Sequence, residues 1–313
     1  MASFLELVSE ALLAYWTSRL SLGVLVACAT AMGTLMYVFM TNARNPKLRV
    51  SLLTGLYALS IFFWTFVAVS LVLCLSQARM VAYSAQGVPI AVAGAVLGGL
   101  LATLVVSLVV WRYGNAVILR RFSPRDPRDD ERWLQEYANP LMRFEQMSPA
   151  RVAMVDSADA IAMALGGKQR TILVSRGLLQ LLERDEVETV LAHELMHLKH
   201  HDAEFKVFSR VLSRALIFDP FSKFFDPAVH REREYLADEM GARLTGRPAS
   251  LASALVKIAN NGMTAKSSWG LSILGPGRGV LSRYPPLTER VRRLLILSEL
   301  LGSRGNRESL GPG

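Results

Sequence analysis

Three long runs without a charged side chain dominate the first part of the chain: Leu20 to Met40, Val50 to Leu75 and Val88 to Trp111. Each is long enough to cross a hydrocarbon core about 30 Å thick as a helix, and charge-free runs above about 18 residues are rare in soluble cores. The pattern therefore predicts transmembrane helices near 20–40, 50–75 and 88–111. Ala2 to Trp16 is also apolar, but Glu6 and Glu10 interrupt it and it is too short to span, so it reads as an interfacial lead-in. It lacks the basic start and small-residue cleavage site of a secretory signal.

Beyond the third run the pattern changes. Phe122 to Pro149 is charged and broken by Pro124, Pro127, Pro140 and Pro149, which reads as a juxtamembrane connector. Short apolar runs follow at Val152–Asp156, Ile161–Leu165 and Thr171–Val174, the last two joined by a turn at Gly166, Gly167 and Lys168, so strands with a terminal hairpin are expected. From Val187 apolar residues recur at mixed spacings of three and four through Val190, Leu191, Leu195 and Leu198, the mark of a helix, with Asp185 as its expected N-cap and Glu188 three residues on. Val207 to Phe218, interrupted by Arg210 and Arg214, reads as an amphipathic helix near the membrane. Asn260 to Arg283 is rich in Gly and Ser and reads as a passive loop, with a lid over a cleft as the other reading. The Gly/Ser/Arg-rich stretch after Leu301 reads as a disordered tail.

Composition supports a membrane protein: 51% of residues are hydrophobic and mean hydropathy is +0.29. The formal charge of +9 does not call for nucleic acid, because much of it flanks the third run, where anionic lipid is the simpler partner. Arg44, Lys47 and Arg49 lie between the first two runs, and Arg112, Arg120, Arg121, Arg125 and Arg128 follow the third. Only Arg19 and Arg79 stand on the opposite side. The positive-inside bias then puts the N-terminus outside and everything after the third span in the cytoplasm, as a multi-pass protein of the cell membrane. Cys28 and Cys74 both fall inside expected spans, so neither reads as a metal ligand or a disulfide framework.

The candidate chemistry sits on the helix from Val187. His193 and His197 are four residues apart, on one helical face, and can grip one metal ion, with Glu194 beside it to take a proton from water. His-Glu-x-x-His on a helix is the core of a zinc hydrolase. A catalytic zinc usually has a third protein ligand, and HREREYLAD (His230–Asp238) supplies candidates: Glu234 as ligand and Asp238 as the carboxylate that holds a histidine by its other ring nitrogen. Asp202 is a further candidate for that supporting role. Ile161, Ala162, Met163 and Ala164 form a strand that either accepts an extended peptide or merely shelters the core.

These motifs resemble the HtpX-like and CAAX prenyl protease-like membrane metallopeptidases of the gluzincin group. The matching residues are His193, Glu194 and His197, then Arg231, Glu234, Tyr235, Ala237 and Asp238, and then Pro285, Pro286, Leu287, Glu289 and Arg290 in YPPLTERVRRL. The hairpin IAMALGGKQRTILVSRGLL is also similar, and the likeness covers about Val152 to Leu295. It implies an α+β gluzincin-type zinc peptidase domain with a small β-sheet in 151–300, with the membrane spans matching only in type; together with the runs above, this makes a mainly α protein with N-terminal transmembrane helices in 1–115, a linker in 116–150 and a tail in 301–313. It further implies one Zn2+ per chain and cleavage of misfolded or damaged membrane proteins under stress. Three departures stand out. Val207–Phe218 replaces further spans, Tyr284 stands where the family often has histidine, and Asp159 stands where its strand commonly starts with asparagine. Tyr284 or Arg290 is the expected oxyanion or substrate contact. The alternatives are a CAAX-type processing protease, for which three spans are few, and a non-catalytic zinc-bound scaffold, which would not need Glu194.

Overall fold

The computed structural model describes residues 3–41, 46–167, 169–201, 209, 219, 226–260 and 285–308, and it divides into two units, Met1–Arg112 and Tyr113–Gly313. The first unit opens with α1 (Phe4–Trp16), where Ser3 Oγ accepts from the Glu6 N–H at 3.2 Å and Glu6 Oε2 accepts from the Ser3 N–H at 2.6 Å. This reciprocal cap satisfies two donors that a helix start otherwise leaves orphaned. It is followed by α2 (Arg19–Thr41), α3 (Pro46–Ser76), the short α4 (Ala78–Tyr83) and α5 (Gly87–Phe122). Within these, Arg19–Thr41, Ser51–Ser76 and Gly87–Val110 are long and apolar enough to cross a membrane, within a few residues of the sequence expectation. The apolar lead-in is α1, which buries Val8, Ala11 and Tyr15 and packs on α4. Small residues bring α5 close to α3, where Cβ atoms built on Gly94, Gly98 and Gly99 would lie 3.3, 3.5 and 3.1 Å from Leu73, Val69 and Phe62.

The second unit departs from the expected connector. Arg125 pairs with Met154 through two backbone hydrogen bonds of 2.9 Å, and its guanidinium holds Glu131 and Asp156. Next, α6 (Trp133–Phe144) buries Leu134, Ala138 and Met142 in the main core. The prolines that suggested a linker are accommodated, Pro140 within the helix itself, because this apolar stripe gains more from burial than one missing backbone bond costs. Three strands follow, β1 (Arg151–Val155), β2 (Ala162–Leu165) and β3 (Thr171–Ser175), in the order β1-β3-β2. β3 runs parallel to β1 and antiparallel to β2, so the expected hairpin is present. Both faces of the sheet are covered, which is why its strands read as unbroken apolar runs. Val152, Met154, Ala162, Ala164, Ile172 and Val174 join the main core, while Ala153, Val155, Met163, Leu165 and Leu173 pack with Leu119 and Phe122 from the end of α5.

After α7 (Arg176–Leu181) comes α8 (Arg184–Lys199), buried from Glu186 to Leu198 except at the half-buried Glu188. Its N-cap is Glu183, two residues before the expected Asp185, because Glu186 Oε2 accepts from the Glu183 N–H at 2.8 Å. Asp185 instead accepts from Ser250 Oγ at 2.8 Å. Three further long helices among the described residues are α9 (Asp226–Thr245), α10 (Pro248–Asn260) and α11 (Leu287–Glu308). The helix α11 runs through 301–308, where a disordered tail was expected, since the glycines there weaken a helix by about 1 kcal/mol each without terminating it as proline does. The amphipathic stretch, apart from the buried Ser209, and residues 261–283 of the Gly/Ser-rich loop lie outside the described residues.

The crossing of α9 over α8 has no slack. A Cβ on Gly241 would fall 2.9 Å from the His193 backbone nitrogen and 3.0 Å from its Cα. We expect Gly241→Ala to lower stability by about 1–3 kcal/mol, read as a reduced melting temperature of the detergent-solubilised protein, with Gly241→Val worse.

Candidate metal centre

Helix α8 presents His193, Glu194 and His197, and α9 presents Glu234, all at most 1% exposed. The two Nε2 atoms stand 3.2 Å apart. Glu234 Oε2 lies 3.6 Å from His193 Nε2, and Oε1 lies 3.4 Å from His197 Nε2. Among the described residues these three side chains form the group that can hold a metal ion. Donors tetrahedrally arranged at bonds of about 2.0–2.1 Å sit about 3.3 Å from one another, so the spacing suits a small tetrahedral cation such as zinc.

Behind the ligands stands a charge relay in space. Asp238 Oδ1 lies 3.0 Å from His193 Nδ1, so the carboxylate favours the tautomer whose Nε2 lone pair faces the other donors. Arg290 grips Asp238 with both arms, donating from Nε to Oδ2 at 2.7 Å and from Nη2 to Oδ1 at 2.6 Å, and Nη2 also comes within 3.7 Å of Glu234 Oε2. Burial alone would raise the pKa of Asp238, but Arg290 and His193 outweigh it and hold the carboxyl below its ordinary value. Burial opposes charge on His193 too, yet Asp238 and Glu234 overcome it and lift its pKa to about 9.

Arg290, expected as an oxyanion or substrate contact, is fully buried and holds Asp238, with Nη2 also near Glu234. Tyr284 and Asp202 lie outside the described residues.

The edge strand contributes in a way that residue identities do not announce. Ser175 N–H donates to the Ile161 carbonyl at 2.9 Å, so 161 and 163 turn their backbone groups toward β3 while 162 and 164 turn theirs to the free edge. From that edge the Ala164 N–H donates to Glu194 Oε2 at 2.8 Å. Among the described residues Glu194 Oε1 meets no hydrogen-bond partner. Ile161, Ala162, Met163 and Ala164 are all at most 6% exposed, so the edge is sheltered from water in this state. A second pair that the sequence did not flag is Ser209 Oγ with His230 Nε2, 2.7 Å apart and buried, one helical turn before Glu234 on α9.

A model of peptidase family M48 matches residues 128–225 and 221–297, together more than half of the chain. The chain belongs to peptidase family M48. Among curated relatives, a protease HtpX homolog of Pyrococcus abyssi is 29% identical over 250 residues, spanning 64% of this chain and 85% of its own. One from Aquifex aeolicus is 26% identical over 267 residues, spanning 67% and 88%. The solved structure of S. mikatae Ste24p overlaps 81% of this chain and 87% of its own at a TM-score of 0.46 and 15% identity, too loose a likeness to bear on activity. This M48 member is a membrane metalloendopeptidase with peptide or protein substrates, as its family and its three apolar helices require.

Two expectations follow from the relay. Asp238→Asn should weaken metal binding about 10–100-fold in a chelator-competition titration, and Arg290→Ala, which strands a buried carboxylate, should cost about 3–5 kcal/mol of stability. In the metal-free protein, His193 is raised from its ordinary 6.5 to about 9. Its protonation therefore stabilises the fold below pH 6.5, and that contribution fades as pH rises through about 9. A metal must displace the same proton, so its apparent affinity should climb across that window and level off above it, which titrations at stepped pH will read.

Proposed function

We propose that this protein is a zinc-dependent endopeptidase whose metal is held by His193, His197 and Glu234 and whose general base is Glu194. The observation that carries this reading is the close set of three donor atoms on two helices, all within 4.8 Å of one another, with Glu194 following the first histidine. Zinc, when bound, supplies a Lewis acid that polarises the scissile carbonyl and makes water acidic enough to attack at neutral pH. Glu194 keeps Oε2 on the Ala164 amide and turns Oε1 to the water, takes one proton from it as the new C–O bond forms, and passes that proton to the departing amine nitrogen as the C–N bond breaks. Asp238 keeps His193 in the tautomer that leaves Nε2 free to bind, and Arg290 keeps Asp238 ionised. Asp202 and Tyr284 remain assigned from sequence to support of the ligands and to substrate or oxyanion contact.

Extended segments of polypeptide suit the outward-facing groups of β2, where Ala162 offers both backbone groups and Ala164 its carbonyl. Recognition through main-chain groups reads little of the substrate's sequence, which fits removal of damaged membrane proteins under stress. We further assign three crossings, the N-terminus outside and the peptidase domain in the cytoplasm, following the distribution of Lys and Arg.

Glu194→Gln should retain metal stoichiometry while lowering cleavage of casein or a membrane substrate by at least about a thousandfold. Cleavage at the unaltered rate would remove the enzymatic assignment. Cysteines placed at Ser3 and at Arg132 should react with an impermeant thiol reagent from opposite sides of the membrane; labelling from one side would overturn the topology.

A further inference from the structure

The two edges of the sheet are treated differently. On the β1 side the outward backbone groups are taken: the Val152 N–H donates to Gln135 Oε1 at 2.7 Å, Gln135 Nε2 donates to the Ala150 carbonyl at 3.1 Å, and Met154 pairs with Arg125. The β2 side is joined to α8, through the Ala164 N–H on Glu194 Oε2 at 2.8 Å. One hydrogen bond fixes one distance and leaves the helix able to pivot about it. The apolar packing of α8 on the strands is non-directional and opposes such a pivot weakly.

A second tie removes that freedom. The hairpin of β2 and β3 pairs Leu165 with Thr171, and Arg170 is the residue just before this pair. Its carbonyl accepts from the Arg151 N–H at 2.9 Å, which anchors its backbone in the sheet. Its half-buried side chain crosses to α8, where Nη2 donates to the Leu198 carbonyl. Leu198 follows His197 directly and lies one helical turn beyond Glu194. Strand and helix are therefore joined at two points that bracket His197 along the chain.

We infer that Arg170 is a positioning residue, which through the Leu198 carbonyl sets the separation and tilt between the metal-binding turn of α8 and the edge strand β2. This rests on the reading of Glu194 as general base and of β2 as the strand that takes the peptide. The strand places the scissile carbonyl and the helix places the metal, so their mutual position is the geometry of the reaction. A displacement of about 1 Å there costs about a hundredfold in rate. A tie that served stability alone would matter less at this point. The Leu198 carbonyl also accepts from the His201 N–H at 3.3 Å, and the same helix end is bound to the end of α6 through Lys199 and Glu145.

The test uses the full chain in detergent, loaded with zinc, and two inhibitors measured by calorimetry. Arg170→Ala should bind acetohydroxamate, which reaches only the metal, as the unaltered protein does. It should bind a peptidyl hydroxamate, which engages metal and strand at once, about tenfold more weakly. Per bound zinc, kcat should fall about 10–100-fold with KM changed less than about twofold, and Arg170→Lys, which keeps a charged donor, should recover most of both losses. Glu145→Gln, which frees the same helix end from α6, should lower the melting temperature and leave both affinities and kcat in place. Unaltered peptidyl hydroxamate binding in Arg170→Ala overturns the proposal, as do equal losses for the two inhibitors or matching losses in Glu145→Gln. An active Glu194→Gln protein overturns the endopeptidase reading instead, and the inhibitor pair then judges Arg170 by itself.

Discussion

Carboxylates and imidazoles withdrawn from water need their charges balanced inside the protein, and here the balance is Arg290. Glu234 and Asp238 come from one helix, His193 from another and Arg290 from a third, so α8, α9 and α11 meet at a single knot of charge. Without the guanidinium, two buried carboxyls would face one another across His193, and at least one would take up a proton. A protonated Asp238 no longer polarises the imidazole, and the metal then meets a weaker donor.

The remaining contacts of α8 keep that knot in register. Its first turn is pinned to α10 by Asp185 on Ser250 and by Glu186 on Ser253 and Lys257, and its last turn receives Arg170 on the Leu198 carbonyl. Negative side chains at the start and a cation at the end also suit the helix dipole. The histidines therefore sit in the C-terminal half of a rod fixed at both ends, while Gly241 lets α9 come close enough for Glu234 to reach them.

Much of this was legible in the sequence, for identifiable reasons. Charge-free runs declared the apolar helices, and four-residue spacing declared both His193 with His197 and Glu234 with Asp238. What escaped was whatever depended on a neighbour far along the chain. The prolines of 122–149 signalled a connector, but the burial of Leu134, Ala138 and Met142 in the second unit's core decided otherwise. Asp185 looked like a cap until Ser250 claimed it. Arg290 carried the right motif, yet only three dimensions reveal that its guanidinium holds the carboxylate standing behind His193. The buried Ser209 and His230 pair escaped because, although His230 stands four residues before Glu234, its partner lies 21 residues back along the chain.

The grip on Glu194 comes from a peptide group, not a side chain. Any amino acid but proline carries that N–H, so the orientation of this carboxylate is insulated from whichever side chains β2 packs into the cores on its two faces. Those cores can repack along the strand without loosening the grip on Glu194.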